Sequence, residues 1–469
     1  MSIKKYHFSS PSSCNTKYLK QLEAFLNSPE DIDVTTKYNS QKKMLQCGEL
    51  LLKHLNTNNI NGVFCAIDVK DVQRSSIYGG ADQSLNIWKE ILDAVSTCLP
   101  NNAYLARVHI GFAIHLWGKN IEKEMPDILN AIQERLEKFD ILQSDTNKQF
   151  YLSFSTNIGY VVYPQDTGKL ETYKPLTLYA AISTSDYIYR DTPSTIRRFT
   201  QSFYNNLQDK VNSEHTIFKI LEDESFELTY QPQINLQTHK IIGAECLSKF
   251  PGTSINKNRT QEYIDILENS KYIIKFTEIS FRKLIDFLKK YASLFPKDFH
   301  IAFNLSRAIF RWTHFDLIEM VKRELKGYEH LIAHIQIEIT ESAYLSRQLH
   351  HKTFNKTINE LHSLGFSIAI DDFGSGYGSL IMIANSLPNI IKLDMNMTKS
   401  ICDTTNNNLF IISLLYAAKY ANFDIIAEGV ETQTEEDILV SLGLHLVQGY
   451  KYSKNLDEKD FIYYLQKHI

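Results

Sequence analysis

Residues 367–380 read SIAIDDFGSGYGSL, in which the adjacent carboxylates Asp371 and Asp372 directly follow a short apolar run. Such a run is typical of a buried strand, and two charged carboxylates at its end are costly unless a cation neutralises them. Gly374, Gly376 and Gly378 come next and permit backbone conformations with positive φ. The stretch therefore predicts a strand that ends at a divalent metal ion, followed by a loop that can change shape.

Residues 225–469 repeat the pattern of a short β-branched run followed by a helical stretch. The runs are ELTYQP, IIGAEC, HIAFNL, IQIEIT, SIAID, IIKLD, DIIAEG and HLVQG. Eight alternations in about 250 residues are typical of a (β/α)8 barrel, whose active site lies at the C-terminal ends of the strands. Polar residues lie at or near that end of each run: Gln231, Glu245, Asn304, Glu338, Asp371, Lys392, Glu428 and Gln448.

These strand-end residues indicate a hard metal ion and phosphate chemistry. Carboxylates and amides, without cysteine or histidine, favour Mg²⁺ or Mn²⁺ over zinc or copper. Asp371 and Asp372 can serve two ions a few ångströms apart, an arrangement that splits phosphate esters. Lys392, the lone cation of the set, either orients a nucleophile beside phosphate or is a buried counter-ion of the acids. Hydrolysis of a phosphodiester is the leading interpretation.

Composition limits the other possibilities. The 469 residues suit two or three domains, and 43% hydrophobic with 22% charged residues is typical of a globular protein. A net charge of −4 provides no basic field for DNA. Because no run approaches a membrane span and the N-terminus lacks a signal-peptide core, we expect a cytoplasmic protein. The six cysteines are scattered and indicate neither a disulfide framework nor a zinc site.

The chain is expected to contain an α/β domain ahead of the barrel. KKMLQCGELLLKHL and LNIWKEILDAVSTCL are typical of amphipathic helices, GVFCAID of a strand and YLARVHIGFAIHL of a strand hairpin. Polar residues at helical spacing follow. We expect an N-terminal segment at 1–29, an α/β domain at 30–200, a helical linker at 201–224 and the barrel at 225–469.

The second half resembles the EAL family of cyclic di-GMP phosphodiesterases. The motifs that carry the resemblance are YQPQINLQTHKIIGAECLSKF, FNLS, IEITES, DDFGSGYGSL, IIKLD, AEGVET and VQGYKYSKNL, in the family's order. The resemblance implies a modified TIM barrel that cuts one phosphodiester of cyclic di-GMP to give linear pGpG, with two Mg²⁺ or Mn²⁺ ions.

The resemblance also implies residue roles. The metal ligands would be Glu245, Asn304, Glu338, Asp371, Asp372 (for the second ion) and Glu428. Catalysis would involve Lys392 at the nucleophilic water, Glu428 also as base, Gln448 near that water and Glu341 as anchor of the DDFG loop. Ligand contacts would come from Gln231, Leu247, Lys249 and Asp394.

The signature departs from the family at three positions. Lys249 replaces an arginine that holds a ligand phosphate, and lysine keeps the charge but loses the bidentate fork, so we expect weaker ligand binding. Cys246 for alanine and Phe250 for tryptophan should matter little. A non-catalytic cyclic di-GMP receptor or a protein-interaction module is the alternative to an enzyme.

The first domain resembles a GGDEF domain, the cyclase that often precedes EAL. DVTTKYNS, CAIDVKDV, YGGADQSLN and NIGYVVYPQD carry the resemblance. Where the family has its GGDEF signature this chain has VHIGF after Arg107, and Ser76 and Ser84 replace two guanine-reading residues. Asp68 alone remains of the metal ligands.

We therefore expect the first domain to make no cyclic di-GMP, and to regulate, dimerise or bind a partner protein. Asp68 is interpreted as an exposed residue at a strand end, and His109 and His115 as ordinary packing or surface residues. The resemblance further implies a homodimer formed by helices near the DDFG loop.

Overall fold

The protein folds as two compact units, Met1–Lys210 and Val211–Ile469. The structure, a computed structural model, describes residues 16–70, 72, 87–108, 111–138, 140–141, 150–151, 154–184, 195–252, 258–312, 315–341, 351–374, 388–400 and 405–468. None of the helices in these ranges is both long enough and apolar enough to cross a bilayer.

The first unit is a mixed α/β domain around a five-stranded sheet of order β2-β3-β1-β6-β7. Its strands are β1 Asn61–Val69, β2 Ala103–Val108, β3 Gly111–Gly118, β6 Thr156–Tyr163 and β7 Thr195–Arg198, with β4 Asp140–Ile141 and β5 Phe150–Tyr151 as a separate pair. Its helices are α1 Lys17–Leu26, α2 Gln41–Asn58, α3 Ile121–Glu137 and α4 Lys174–Ser183, and residues 87–96 are also helical. The predicted hairpin is confirmed, because β2 and β3 pair antiparallel.

Alternate residues of β1 supply a hydrophobic core on each face of this sheet. Cys65 and Ile67 belong to the core that includes α3, whereas Phe64 and Ala66 belong to the core that includes α1, α2 and α4. Because strand side chains alternate between faces, a strand that is covered on both faces, such as β1, needs apolar residues at both odd and even positions.

Helix α5, Gln201–Glu222, covers most of the segment interpreted as a linker. Its buried residues, Ile217, Ile220 and Leu221, all lie in its C-terminal part and belong to the core of the second unit.

The second unit contains a closed eight-stranded barrel of order β10-β11-β12-β13-β14-β15-β8-β9. The strands are β8 Glu227–Asn235, β9 Lys240–Lys249, β10 His300–Asn304, β11 Ile335–Thr340, β12 Ser367–Phe373, β13 Ile390–Leu393, β14 Asp424–Ala427 and β15 Leu446–Gln448. The α-helices are α6 Asn258–Glu268, α7 Tyr272–Tyr291, α8 Leu317–Glu324, α9 His351–Ser363, α10 Met395–Ser400, α11 Thr405–Ala421, α12 Gln433–Leu442 and α13 Glu458–His468. Short 3-10 helices cover Ala292–Leu294, Arg307–Arg311 and Glu329–His334.

Of the eight expected strand–helix alternations, the first is wrong, because a turn and not a helix follows β8. β8 runs antiparallel to both of its neighbours, β9 and β15, and a four-residue turn at 236–239 joins it to β9. The Asn235 side chain accepts hydrogen bonds from the backbone N–H groups of Gln237 and Thr238, which closes this turn locally. Gln231 consequently lies in the middle of its strand, directly opposite Glu245, and not at the C-terminal end.

Candidate active site

Four carboxylates surround the ammonium group of Lys392 at the mouth of the barrel. Its Nζ lies 2.7 Å from Glu428 Oε1, 2.9 Å from Glu338 Oε2, 3.1 Å from Asp371 Oδ1 and 3.2 Å from Glu245 Oε2. The Lys392 side chain is completely buried. One buried cation beside four acids leaves a surplus of negative charge, which a divalent ion can neutralise.

The parallel strands bring these groups together from distant parts of the chain. Asn304 on β10 pairs in register with Glu338 on β11, and Thr340 on β11 pairs with Asp371 on β12. Glu428 directly follows β14, and its backbone N–H donates to Leu393 O at the end of β13. The C-terminal ends of parallel strands meet at one mouth of the barrel, so a polar residue near the end of each strand reaches the same place.

A local irregularity lets both adjacent aspartates face the site. Successive side chains of a regular strand point to opposite faces. Between Ile370 and Phe373 the register with β13 shifts, and Asp372 has a left-handed backbone with φ 55°. Ligand atoms of Asp371, Asp372 and Glu428 consequently lie within 4.8 Å of one another. This conformation costs roughly 1–2 kcal/mol for a residue other than glycine, and Asp tolerates it better than most.

Burial and crowding shift the ionisation of the cluster. Burial, with the neighbouring acids Glu245, Asp371 and Glu428, raises the pKa of Glu338 well above its usual value despite Lys392. Burial also raises the pKa of Glu428 to about 8, and that of Asp372 to about 6 with help from Asp371. For Glu245 burial is outweighed by Lys392, Asn304 and Gln448, and its pKa is lowered.

Amide side chains hold Glu245 from two sides. Asn304 Nδ2 donates to Glu245 Oε1 at 2.8 Å, and Gln448 Nε2 donates to Glu245 Oε2 at 2.6 Å. Gln448 Nε2 also donates to Gln231 Oε1 at 3.0 Å, and Gln231 Nε2 donates to Ser453 O at 3.3 Å. Gln233, which the sequence analysis did not single out, donates to Gln448 Oε1 at 2.9 Å.

Glu341 contacts the start of the DDFG loop. Its Oε2 accepts the backbone N–H of Gly374 at 2.8 Å, and its carboxylate is buried. Gly374 has φ 97°, and a Cβ there would lie 2.6 Å from Met397 Cε. The positive φ therefore favours glycine at 374, whereas Gly376 and Gly378 lie outside the described residues.

The residues expected to contact ligand lie on β8, on β9 and directly after β13. Lys249 ends β9, is 47% exposed and pairs with Glu227 Oε2 at 3.4 Å. Leu247, two residues earlier on β9, is half-buried and pairs in register with Thr229. Asp394 accepts the backbone N–H of Asn396 at the start of α10, and its charge helps to raise the pKa of Asp372.

The donor set fits one or two hard divalent ions. Glu245, Glu338 and Asp371 form a second group whose ligand atoms lie within 4.8 Å of one another. Glu338 Oε1 is buried and accepts no hydrogen bond within the described ranges. A buried carboxylate oxygen without a donor is costly, and an ion bound to it would remove that cost. All of these ligand atoms are oxygens, as Mg²⁺ and Mn²⁺ prefer.

In the first unit, the described positions show no comparable carboxylate cluster. Asp68 lies within β1 and is half-buried, so its interpretation as an exposed residue is wrong. His115 is buried between Tyr104 and Tyr173, both of which contact its ring nitrogens, as expected of a packing residue. Ser76, Ser84 and His109 lie outside the described residues.

Comparison with known proteins assigns the second half of the chain. The sequence profile of the EAL domain family matches residues 214–455. The signaling protein YkoW of Bacillus subtilis is 27% identical over 375 residues, 78% of this chain and 44% of YkoW. The probable cyclic di-GMP phosphodiesterase PdeB of Escherichia coli is 26% identical over 295 residues, 63% of this chain and 52% of PdeB. The chain thus spans about half the length of these curated relatives.

Solved structures support the same fold. The EAL enzyme Bd1971 in its cGMP-bound form has a TM-score of 0.52 at 23% identity, over 68% of this chain and 85% of that protein. Its form bound to cAMP and cyclic-di-GMP has a TM-score of 0.50 at 21% identity, over 76% of this chain and 81% of that protein. With the barrel and its carboxylate cluster in place, the profile match over more than half of the sequence shows that this chain belongs to the EAL domain family.

Proposed function

We propose that this chain hydrolyses cyclic di-GMP to linear pGpG, using two Mg²⁺ or Mn²⁺ ions at the barrel mouth. The observation that carries the proposal is the pair of carboxylate groups that share Asp371, one with Glu245 and Glu338 and the other with Asp372 and Glu428. Family membership and the name of PdeB support the choice of cyclic di-GMP over other phosphodiesters.

The proposed roles of these residues are to bind the two ions and to orient the attacking water. Glu245, Asn304, Glu338 and Asp371 would hold one ion, and Asp372 and Glu428 would hold the second together with Asp371. Bound there, the ions would neutralise the phosphate and activate a water molecule. Lys392 would orient that water and stabilise charge on the phosphoryl oxygens, because its ammonium is fixed from four sides.

The reaction adds one water across one phosphodiester. The water oxygen forms a new bond to phosphorus, the bond from phosphorus to the 3′ oxygen breaks, and that oxygen takes up a proton. Glu428 would accept a proton of the water, because its Oε1 lies 2.7 Å from the Lys392 ammonium that would orient the same water. Gln448 would contact the same water, and Glu341 would hold the DDFG loop through Gly374.

Lys249, Leu247, Gln231 and Asp394 would contact the nucleotide. Lys249 is the weakest part of this set, because Glu227 already neutralises part of its charge and an ammonium offers no bidentate contact to phosphate. We infer that the ligand is bound with reduced affinity. A non-catalytic receptor would keep the ligand contacts without requiring the two groups of metal ligands.

The first unit is proposed to be a silent GGDEF-like domain. Its described residues contain no group of three or more carboxylate, histidine or cysteine side chains placed to share an ion. Its function would then be regulation or contact with a protein partner.

A homodimer is also proposed, through the exposed apolar side chains of α11. Leu409, Tyr416 and Tyr420 are 60%, 65% and 87% exposed and recur at helical spacing, which gives an apolar stripe that a second copy could cover. If this stripe forms the interface, light scattering on Tyr416→Glu would show a monomer. The matched control is Tyr463→Glu on α13, because Tyr463 is also an exposed tyrosine, at 61%.

A comparison of three cyclic nucleotides as substrates tests the proposed reaction. Cyclic di-GMP, cyclic di-AMP and cGMP are incubated separately with the full chain and Mn²⁺, and the products are separated by chromatography. We expect pGpG from cyclic di-GMP and little product from the other two. Tight binding of cyclic di-GMP without any product would instead support the receptor function.

A further inference from the structure

Gln233 is a buried amide in the interior of the barrel. It is 2% exposed and lies on β8 between two register partners, Gln448 on β15 and Gly243 on β9. A buried amide is costly unless it is hydrogen-bonded, and an apolar side chain would fill the same volume at lower cost. Its single described side-chain hydrogen bond runs from Nε2 to Gln448 Oε1 at 2.9 Å.

That hydrogen bond fixes the orientation of the Gln448 amide. In the observed orientation Gln448 Nε2 donates to Glu245 Oε2 and Gln231 Oε1, while its Oε1 accepts from Gln233. An amide rotated by 180° would direct Oε1 at two acceptor oxygens and Nε2 at the amide nitrogen of Gln233. Both contacts would be repulsive, so the Glu245 carboxylate and the donor on Gln233 together select one of the two orientations.

The neighbouring strand leaves room for this arrangement. A Cβ at Gly243 would lie 2.7 Å from His300 O and 3.0 Å from Gln233 Oε1. The absence of a side chain at 243 therefore lets Gln233 occupy the barrel interior beside Gln448.

We propose that Gln233 is a positioning residue for the metal centre, which keeps the Gln448 amide turned so that it donates to the Glu245 carboxylate. This inference rests on the metal centre of the proposed function, but not on the identity of the nucleotide. Residues that orient metal ligands through a hydrogen bond commonly contribute about 10- to 100-fold in metal affinity.

The test is Mn²⁺ binding by calorimetry to the full chain without nucleotide. Gln233→Met keeps the size of the side chain and removes the donor, and we expect Mn²⁺ affinity to fall about tenfold. Gln233→Leu also removes the donor without adding charge, and the Mn²⁺ affinity should fall to a similar extent. The matched control is Gln336→Met, which changes another buried glutamine of a barrel strand and should leave the affinity unchanged.

A double variant separates positioning from general structural damage. If Gln233 acts through Gln448, Gln233→Met lowers affinity in the native background but causes no further loss when added to Gln448→Met. Two results would overturn the proposal: a native Mn²⁺ affinity in both Gln233→Met and Gln233→Leu, or a further loss of affinity when Gln233→Met is added to Gln448→Met. If Gln233→Met fails to fold, Gln233→Leu is judged by the same criterion. A chain that binds Mn²⁺ as predicted but does not cut cyclic di-GMP would contradict the proposed function and leave this inference intact.

Discussion

The Lys392 ammonium lies 2.9 Å from Glu338 Oε2, and both side chains are completely buried. Lys392 is not held by this contact alone, because its ammonium also faces three other carboxylates. The pKa of Lys392 is raised well above its usual value, since the four acids outweigh the burial that would lower it. The lysine is thus both a proposed participant in catalysis and the main cation that stabilises the metal-free barrel.

Lys392→Met should therefore destabilise the metal-free protein. Removing one partner of a buried ion pair costs about 3–5 kcal/mol, because the remaining charges lose their compensation. Denaturant unfolding in EDTA measures this loss, and added Mn²⁺ should stabilise the variant more than the native chain. Lys399→Met, at a partly exposed lysine of α10, is the control. Equal stability of Lys392→Met and native chain in EDTA would show that the cluster is not held by its lysine.

The backbone and carboxylate of Asp372 can be tested separately. Asp372→Gly keeps the left-handed conformation accessible and removes the ligand, whereas Asp372→Ala also strains the backbone by roughly 1–2 kcal/mol. We expect the native chain to bind two Mn²⁺ ions and both variants to bind one, and the alanine variant should unfold at a lower denaturant concentration. Two bound ions in Asp372→Gly would remove Asp372 from the second site.

Lys249→Arg should strengthen nucleotide binding. A guanidinium can contact a phosphate with two parallel hydrogen bonds and competes better for it against Glu227. We expect the Kd for cyclic di-GMP, measured by calorimetry with Ca²⁺, to fall about tenfold, or roughly 1.4 kcal/mol. Lys240→Arg, at the other end of β9, controls for a general effect of arginine. Unchanged affinity in Lys249→Arg would place the phosphate elsewhere.

The burial of His115 should make the stability of the first unit depend on pH. Burial lowers its pKa from 6.5 to about 3, so the unfolded chain binds a proton between these values that the folded chain does not. Stability is therefore complete above about pH 6.5 and falls as the pH decreases toward 3.

The expected size of this effect is about 1.4 kcal/mol of unfolding free energy between pH 7.5 and 5.5. His115→Phe keeps a ring between Tyr104 and Tyr173 and should lose less stability over this interval than the native chain. Denaturant titrations of the full chain at both pH values provide the comparison. The same pH dependence in the variant would exclude His115 as its source.

The rule that polar residues near strand ends converge predicted Glu245, Glu338, Asp371, Lys392 and Glu428 as one cluster. It worked because their strands are parallel, so that the spacing of short apolar runs is enough to align the ends. Gln231 also reaches the site, through its hydrogen bond with Gln448, but from the middle of an antiparallel strand. The direction of β8 depends on the short turn after Asn235, which the spacing of apolar runs does not indicate. Gln231 and Gln233 alternate in TYQPQIN, and this polar alternation on one strand face was the available signal for Gln233.

Other features depend on cross-strand register, which the sequence does not state. The Lys249 and Glu227 pair follows from the register of the β8–β9 hairpin and is absent from the linear pattern. The left-handed φ of Asp372 depends on the register shift against β13. The two adjacent aspartates indicated a metal ion at this strand end, but not the backbone conformation.

Turnover of cyclic di-GMP by the full chain and by Glu245→Ala, at equal protein concentration with saturating Mn²⁺, tests the central claim most directly. Glu245 accepts hydrogen bonds from Lys392, Asn304 and Gln448. Its replacement by alanine should therefore disrupt one ion site and leave strand β9 in place. We predict that the native chain forms pGpG and that Glu245→Ala slows its formation at least 100-fold. Folded native chain that binds Mn²⁺ and cyclic di-GMP but forms no pGpG would contradict this account.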